Sequence, residues 1–196
     1  MNRKTIIAAL APALLLGGCV SLGGKAPPSL LTLTSSETAA AGAGATGSQQ
    51  TALAMVEFEV PRVLDVTRLP VQVSDTEIAY LKDAVWVERP ARLFRRMVAE
   101  TIRARSGRLV IDGDDPGAGA TDRLSGTLRS FGYDARTSSV VVVFDATRNG
   151  GGAQVMTKRF EARVSGVPAD VRSVGPALNQ AANDVAGQVA EWVAGA

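Results

Sequence analysis

The sequence predicts a single α+β domain: a twisted, mixed but mostly antiparallel sheet with two main helices on one face, preceded by a signal peptide and a flexible tether. Three observations lead there. Three long alternating segments, near residues 123–134, 138–148 and 154–164, follow one another across short turns. Two stretches, 91–105 and 174–193, repeat apolar residues at helical spacing. Before residue 51 the chain is first signal-like and then rich in Gly, Ala, Ser, Thr and Pro.

The elements follow in order. Asn2-Arg3-Lys4 is a short positive stretch, and Thr5 to Leu16 is an apolar run about a dozen residues long. That length suits a secretory signal and falls short of the ~20 apolar residues a membrane-spanning helix needs. The run closes on Leu16-Gly17-Gly18-Cys19, a lipobox. Cleavage is expected between Gly18 and Cys19, leaving Cys19 as an S-diacylglycerol, N-acyl cysteine that carries palmitate-type chains. The small residues before it allow an extended backbone beside the modified thiol. Cys19 is the only cysteine, and lipid attachment accounts for an unpaired thiol in an exported chain. Val20, rather than aspartate, follows it, so the expected location is the inner leaflet of the outer membrane, facing the periplasm.

Residues 19–50 read as the tether. About thirty such residues would span roughly 30 Å root-mean-square and hold a domain clear of the bilayer. Ser29-Leu30-Leu31-Thr32-Leu33 interrupts the tether and reads as a short strand. The domain is expected over 51–196. Residues 55–60 alternate as a strand stopped by Pro61. Short strands are expected at 71–73, 77–80 and 84–87, with Lys82-Asp83 as a turn between the last two. Pro90 suits a helix start and Gly107 a helix stop. A strand at 109–111 leads to the loop 112–120, and Asn149-Gly150-Gly151-Gly152 supplies a hairpin turn. In the last helix, Leu178, Ala181, Val185, Val189 and Trp192 form one stripe.

Composition narrows the chemistry. Removal of Arg3 and Lys4 with the signal leaves 19 cations against 19 anions, so nucleic acid is not an expected partner. There is no histidine, which excludes Ser-His-Asp and Cys-His catalysis and His-ligated metals. No enzyme activity, metal or cofactor is expected. No phosphate-binding loop of Walker type is present, so the chain is not an ATPase. It has no second long apolar span, so it is not a permease.

The run Arg68-Leu69-Pro70-Val71-Gln72-Val73-Ser74, then Glu77-Ile78-Ala79-Tyr80, then Ala84-Val85-Trp86-Val87-Glu88-Arg89-Pro90, resembles the ABC-type transport auxiliary lipoprotein family. The lipobox and the terminal amphipathic helix complete the pattern. Ser74 and Asp75 stand where family members often carry an arginine. The resemblance implies an accessory subunit of an MCE-type ABC transporter of phospholipid-like lipids. Its partners would be a permease, an ATPase and an MCE-domain periplasmic protein, and its role docking or gating without bond chemistry. A homo-oligomer would suit the family. The alternative is a stand-alone outer-membrane lipoprotein that scaffolds another envelope assembly.

Candidate contact residues carry two readings each. Tyr80 and Trp86 are either exposed partner anchors or rings packed beneath the first helix. Arg92, Arg96 and Arg103, in a cluster with Arg89, Arg95, Arg105 and Arg108, are either a patch for phosphate or acidic partners, or a solvated face of local ion pairs. Asp112, Asp114 and Asp115 lack calcium-loop spacing and read as an acidic turn.

Overall fold

Strand β5 (Asp122–Asp134) organises the sheet in the computed structural model, which describes residues 29–112, 119–150 and 154–195. The expected signal peptide with Gly18 and Cys19, the body of the acidic loop after Asp112, and two glycines of the expected hairpin turn lie outside the described residues. One edge of β5 pairs along its full length with β6 (Ser139–Gly150), and β6 pairs with β7 (Val155–Ser165), both antiparallel. This is the expected meander. Along the other edge the chain runs parallel to β5 in three touches. They are β1 (Leu53–Met55), a bridge from Glu59 to Thr127, and β2 (Arg68–Gln72) beside Tyr133. A 3-10 turn at Arg62–Leu64 falls between the last two. Then β3 (Ile78–Val85) lies antiparallel on β2, and β4 (Val110–Asp112) parallel on β1, completing seven strands.

Two expected elements are corrected. The strand at 55–60 is shifted: regular pairing covers Leu53–Met55, and only Glu59 bridges β5 farther on. The two short strands at 77–80 and 84–87 are one strand, and Lys82-Asp83 makes no hairpin. Asp83 instead adopts φ +58° within a break in the β2–β3 register, where Arg68 faces Val85 and Pro70 faces Tyr80. Extra residues are absorbed as a bulge, which needs the same αL-tolerant residue a turn needs.

A bulge also sets the faces of β5. Leu124 and Leu128 point to the helices, the register shifts between Leu128 and Ser130, and Phe131 and Tyr133 then point the same way. Without the extra residue, the even-to-odd change of apolar positions would put Phe131 on the opposite face. Gly126 is required by close approach, since a Cβ there would strike the Phe144 ring and the Asp145 carbonyl.

Helix α1 (Pro90–Ser106) begins on Pro90 and ends at Gly107, whose φ of +62° gives the αL cap and whose N–H donates to Arg103 O. Helix α2 is Val171–Gly195. Both cover one face of the sheet. Phe94 of α1 stands 5.3 Å from Phe144 and 6.3 Å from Phe131, and Trp192 of α2 stands 5.6 Å from Phe160. The α2 stripe Leu178, Ala181, Val185 and Val189 is fully buried, as its spacing predicts.

The expected tether is shortened. Residues 29–50 carry no helix or strand beyond a bridge at Leu31, yet residues 31–39 form a strap along the seam between α1 and α2. Leu31 and Leu33 pack on the core. The Thr34 N–H donates to Asn179 Oδ1 (2.8 Å), and the Ser36 N–H donates to Asn183 Oδ1 (2.7 Å). Asn183 Nδ2 donates in turn to Thr34 O, at 3.0 Å. Arg105 holds Glu37 in a bidentate pair at 2.6 and 2.8 Å. The physical reason is that side-chain amides of α2 stand in for a strand partner, so this backbone is satisfied without joining the sheet.

Candidate functional site

The helix-free face of the sheet holds a groove of about 520 Å³. Val141 and Val143 of β6 and Gly132 of β5 line it, with Pro70 of β2, Ile78 of β3 and Val63 of the 3-10 turn. The alternation of β6 explains how: Val140, Val142 and Phe144 are spent on the helix side, leaving Val141 and Val143 on the other. Gly132 is needed here, because a Cβ would come within 2.5 Å of Pro70 O and push β2 away from the floor.

Charges flank the groove, and they are engaged with one another. Arg136 donates to both oxygens of Asp134 (3.0 and 2.9 Å) and also meets Asp75. Asp145 accepts from Arg159 at 2.6 and 2.8 Å and from Arg129 at 2.9 Å. Arg163 donates to Ser139 Oγ at 2.9 Å. The Arg159 hydrogen bonds, then those of Arg129, hold the Asp145 carboxyl down at about 2. Hydrogen bonds from Arg136 hold Asp134 below its ordinary value. These two carboxylates carry no proton near neutral pH, so they are not poised as general acids. The groove has the chemistry of a recognition surface: an apolar floor with fixed charges around it.

The residues singled out from sequence fall elsewhere. Trp86 is 2% exposed, with its ring 5.5 Å from Phe131. It is a core residue and no partner reaches it, which corrects the anchor reading. Its Nε1 finds no acceptor among the described residues. Tyr80 is half-buried, with the Arg68 guanidinium 4.2 Å over its ring. The arginine cluster is dismantled. Arg95 pairs with Asp112 at 3.0 Å on the sheet side of α1, and Arg96 pairs with Glu88. Arg103 donates to Val110 O at 3.0 Å and pairs with Glu100 at 3.3 Å, tying α1 to β4. Arg108 reaches Thr51 O at 2.7 Å and Asp122 at 2.5 Å. Of Arg92, Arg96 and Arg103, only Arg92 is exposed without an ion pair among the described residues. No group of three or more Asp, Glu, Cys or His residues placed to hold a metal occurs among the described residues.

Asp122 is buried at the opposite end of β5 from the groove and accepts from Arg148 at 3.1 and 2.9 Å and from Arg108. Burial opposes its ionisation, but the Arg148 and then the Arg108 hydrogen bonds prevail and lower its pKa. Arg148 also donates to Val193 O at 2.7 Å, so this charged cluster clamps the C-terminal end of α2 to the sheet.

Sequence reasoning missed the groove, though a signal was present. Val140-Val141-Val142-Val143 is apolar at both parities, which an antiparallel strand with one solvated face does not require.

The family model described as ABC-type transport auxiliary lipoprotein component matches residues 31–190. The chain belongs to this family. The description associates it with ABC-type transport, and membership of a lipoprotein family implies a membrane-associated, periplasm-facing location. The match begins at Leu31, where the strap meets β3. Among solved structures, a Xanthomonas campestris protein of family DUF330 is similar at TM-score 0.63 and 17% identity, over 86% of this chain and 93% of that one. A crystal structure of an uncharacterized protein is similar at TM-score 0.63 and 15% identity, over 74% and 92%. These likenesses concern the fold alone. No curated protein matches the chain.

Proposed function

We propose that the chain is the lipid-anchored accessory subunit of an MCE-type ABC transporter that moves phospholipid-like lipids between membranes. Cys19 anchors it in the inner leaflet of the outer membrane, and the domain docks on or gates the periplasmic conduit without bond chemistry of its own. The family match carries this reading. No described helix is long and apolar enough to cross a membrane, which accords with an anchor made of acyl chains. The open groove suits the docking role, its occupant being an extended apolar segment of the MCE-domain protein. The permease and ATPase complete the partner set.

A photo-crosslinking residue placed at Val143 in the full acylated chain tests this. An adduct with an MCE-domain protein is expected, and Val141→Lys should abolish it. Repeated failure to capture that protein, with crosslinks to another envelope assembly instead, would sink the reading. Separately, Cys19→Ser should release the chain from the membrane fraction.

A further inference from the structure

The docked strap changes where the domain must sit. Leu31 is bracketed by β3 and the residues after it: its N–H donates to Val85 O (2.7 Å), and its carbonyl accepts from the Val87 N–H (2.8 Å). Leu31 and Trp86 form a parallel bridge and both turn to the core. Their neighbours Leu30 and Val87 therefore turn outward together, 52% and 53% exposed. Two large apolar side chains thus project on the same outward face, diagonally across the Leu31–Trp86 bridge, where the chain joins the fold.

Both helices begin at this pole. Pro90 opens α1 three residues after Val87, and Gly175, early in α2, faces the Leu31 side chain. The strap then runs toward the other ends of the helices, past Asn179 and Asn183 to Glu37, which meets Arg105 beside Glu191. Exposed cations stand in the first turns: Arg92 of α1 and Arg172 of α2, neither with an ion pair among the described residues. Nearby acids are engaged: Glu88 by Arg96, Asp65 by Arg89 at 3.2 Å, and Asp170 by the first N–H groups of α2.

Only residues 20–29 separate Cys19 from Leu30. Full extension caps a chain of that length at about 40 Å. The domain itself is about 40 Å across. Turning its far pole to the membrane would stretch that link to its limit, whereas the joining pole lies within easy reach. At the high effective concentration such a link imposes, a small contact suffices.

From the strap's docking and this short link we infer that the joining pole is a membrane-contacting surface: Leu30 and Val87 enter the headgroup region of a phospholipid bilayer, and Arg92 and Arg172 engage lipid phosphates. Apolar residues inserted beneath flanking arginines is the pattern of interfacial binding, the arginine stems lying along the apolar layer with their heads in the polar one. The inference rests on acylation of Cys19.

The test places an environment-sensitive fluorophore at Val87→Cys or, as the control, at Val155→Cys in the full acylated chain, on vesicles of phosphatidylethanolamine and phosphatidylglycerol. Val155 is 58% exposed and pairs with Asn149, beside Arg148 and the C-terminal end of α2. That end lies about 37 Å along the helix from the joining pole. A blue shift at Val87→Cys is expected, with quenching by a headgroup nitroxide severalfold stronger than at Val155→Cys. The paired changes Arg92→Glu and Arg172→Glu should reduce it. Equal, water-like signals at both positions in vesicle-bound protein overturn the inference. So does shielding of Val87→Cys that appears only when transporter subunits are added. A parallel arm removes dependence on acylation: Cys19→Ser with a histidine tag in place of the signal, held on nickel-chelating lipid. The same contrast is expected there. Loss of flotation of the untagged chain with the contrast kept in this arm counts against acylation alone.

Discussion

The two faces of β6 belong to one strand and do different work. Toward the helices, Val140, Val142, Phe144 and Ala146 are fully buried, with Phe144 packed against Phe58 and Phe94. Toward the open side, Val141 and Val143 line a groove beyond which Asp145 is clasped by two arginines. Both faces are apolar at their centre, so hydrophobicity does not tell a core from a recognition surface. Coverage does: among the described residues, one face has helices on it and the other has none. The difference teaches that stability is concentrated on one side of the sheet, leaving the other free to serve binding.

That division can be broken most severely at Phe144. Phe144→Ala should cost about 3–5 kcal/mol, read from the urea midpoint. A loss below about 1 kcal/mol would mean the helix side is not the stabilising one. Next is the clamp at the end of the sheet. Asp122→Asn strands the Arg148 guanidinium in the interior and should cost about 3 kcal/mol. The folded pKa of Asp122 lies below its unfolded value, so its contribution is complete above the unfolded value of about 4. It is lost as pH falls toward the folded value. Wild-type urea midpoints should therefore drop in the acid limb below about pH 4, and the variant should lack that component.

Smaller effects sharpen the contrast. Asn183→Ala removes the two hydrogen bonds of that side chain to the strap and should cost about 1 kcal/mol, with amide exchange of residues 34–36 accelerated. Unchanged exchange would argue that the apolar contacts of Leu31 and Leu33 alone hold the strap. On the open face, Val143→Ala should change stability by about 0.5 kcal/mol while weakening the crosslink to the partner. The smallest change belongs to Asp145: by NMR its carboxyl should titrate near 2, and Arg159→Ala should move the midpoint back toward the ordinary carboxylate range. A midpoint already in that range would show the flanking charges to be solvated rather than fixed.

Much of the scaffold was legible because it rests on periodicity. The meander, α1 with its Pro90 start and Gly107 stop, and the α2 stripe are local patterns, and local patterns survive folding. The parity change from Leu128 to Phe131 even records the bulge. The site was harder. Residue type left Trp86 and Arg103 with two readings each, and burial beside Phe131 and bonds to Val110 O and Glu100 decide for core packing and local pairing. Val141 and Val143 carried a readable signal, the double-parity valine run, whose meaning depends on whether anything covers that face.

By itself the sequence determined the α+β class, the order of its main elements and the absence of histidine, and it supplied the Leu16-Gly17-Gly18-Cys19 pattern on which the lipidation reading rests. Those follow from composition and short-range spacing. Only the tertiary structure decided that residues 31–39 are strap rather than tether and that no described helix covers the face of Val141 and Val143. The strap depends on partners more than sixty residues away in the chain, such as Asn179 for Thr34 and Arg105 for Glu37, and no local pattern encodes which distant group will arrive.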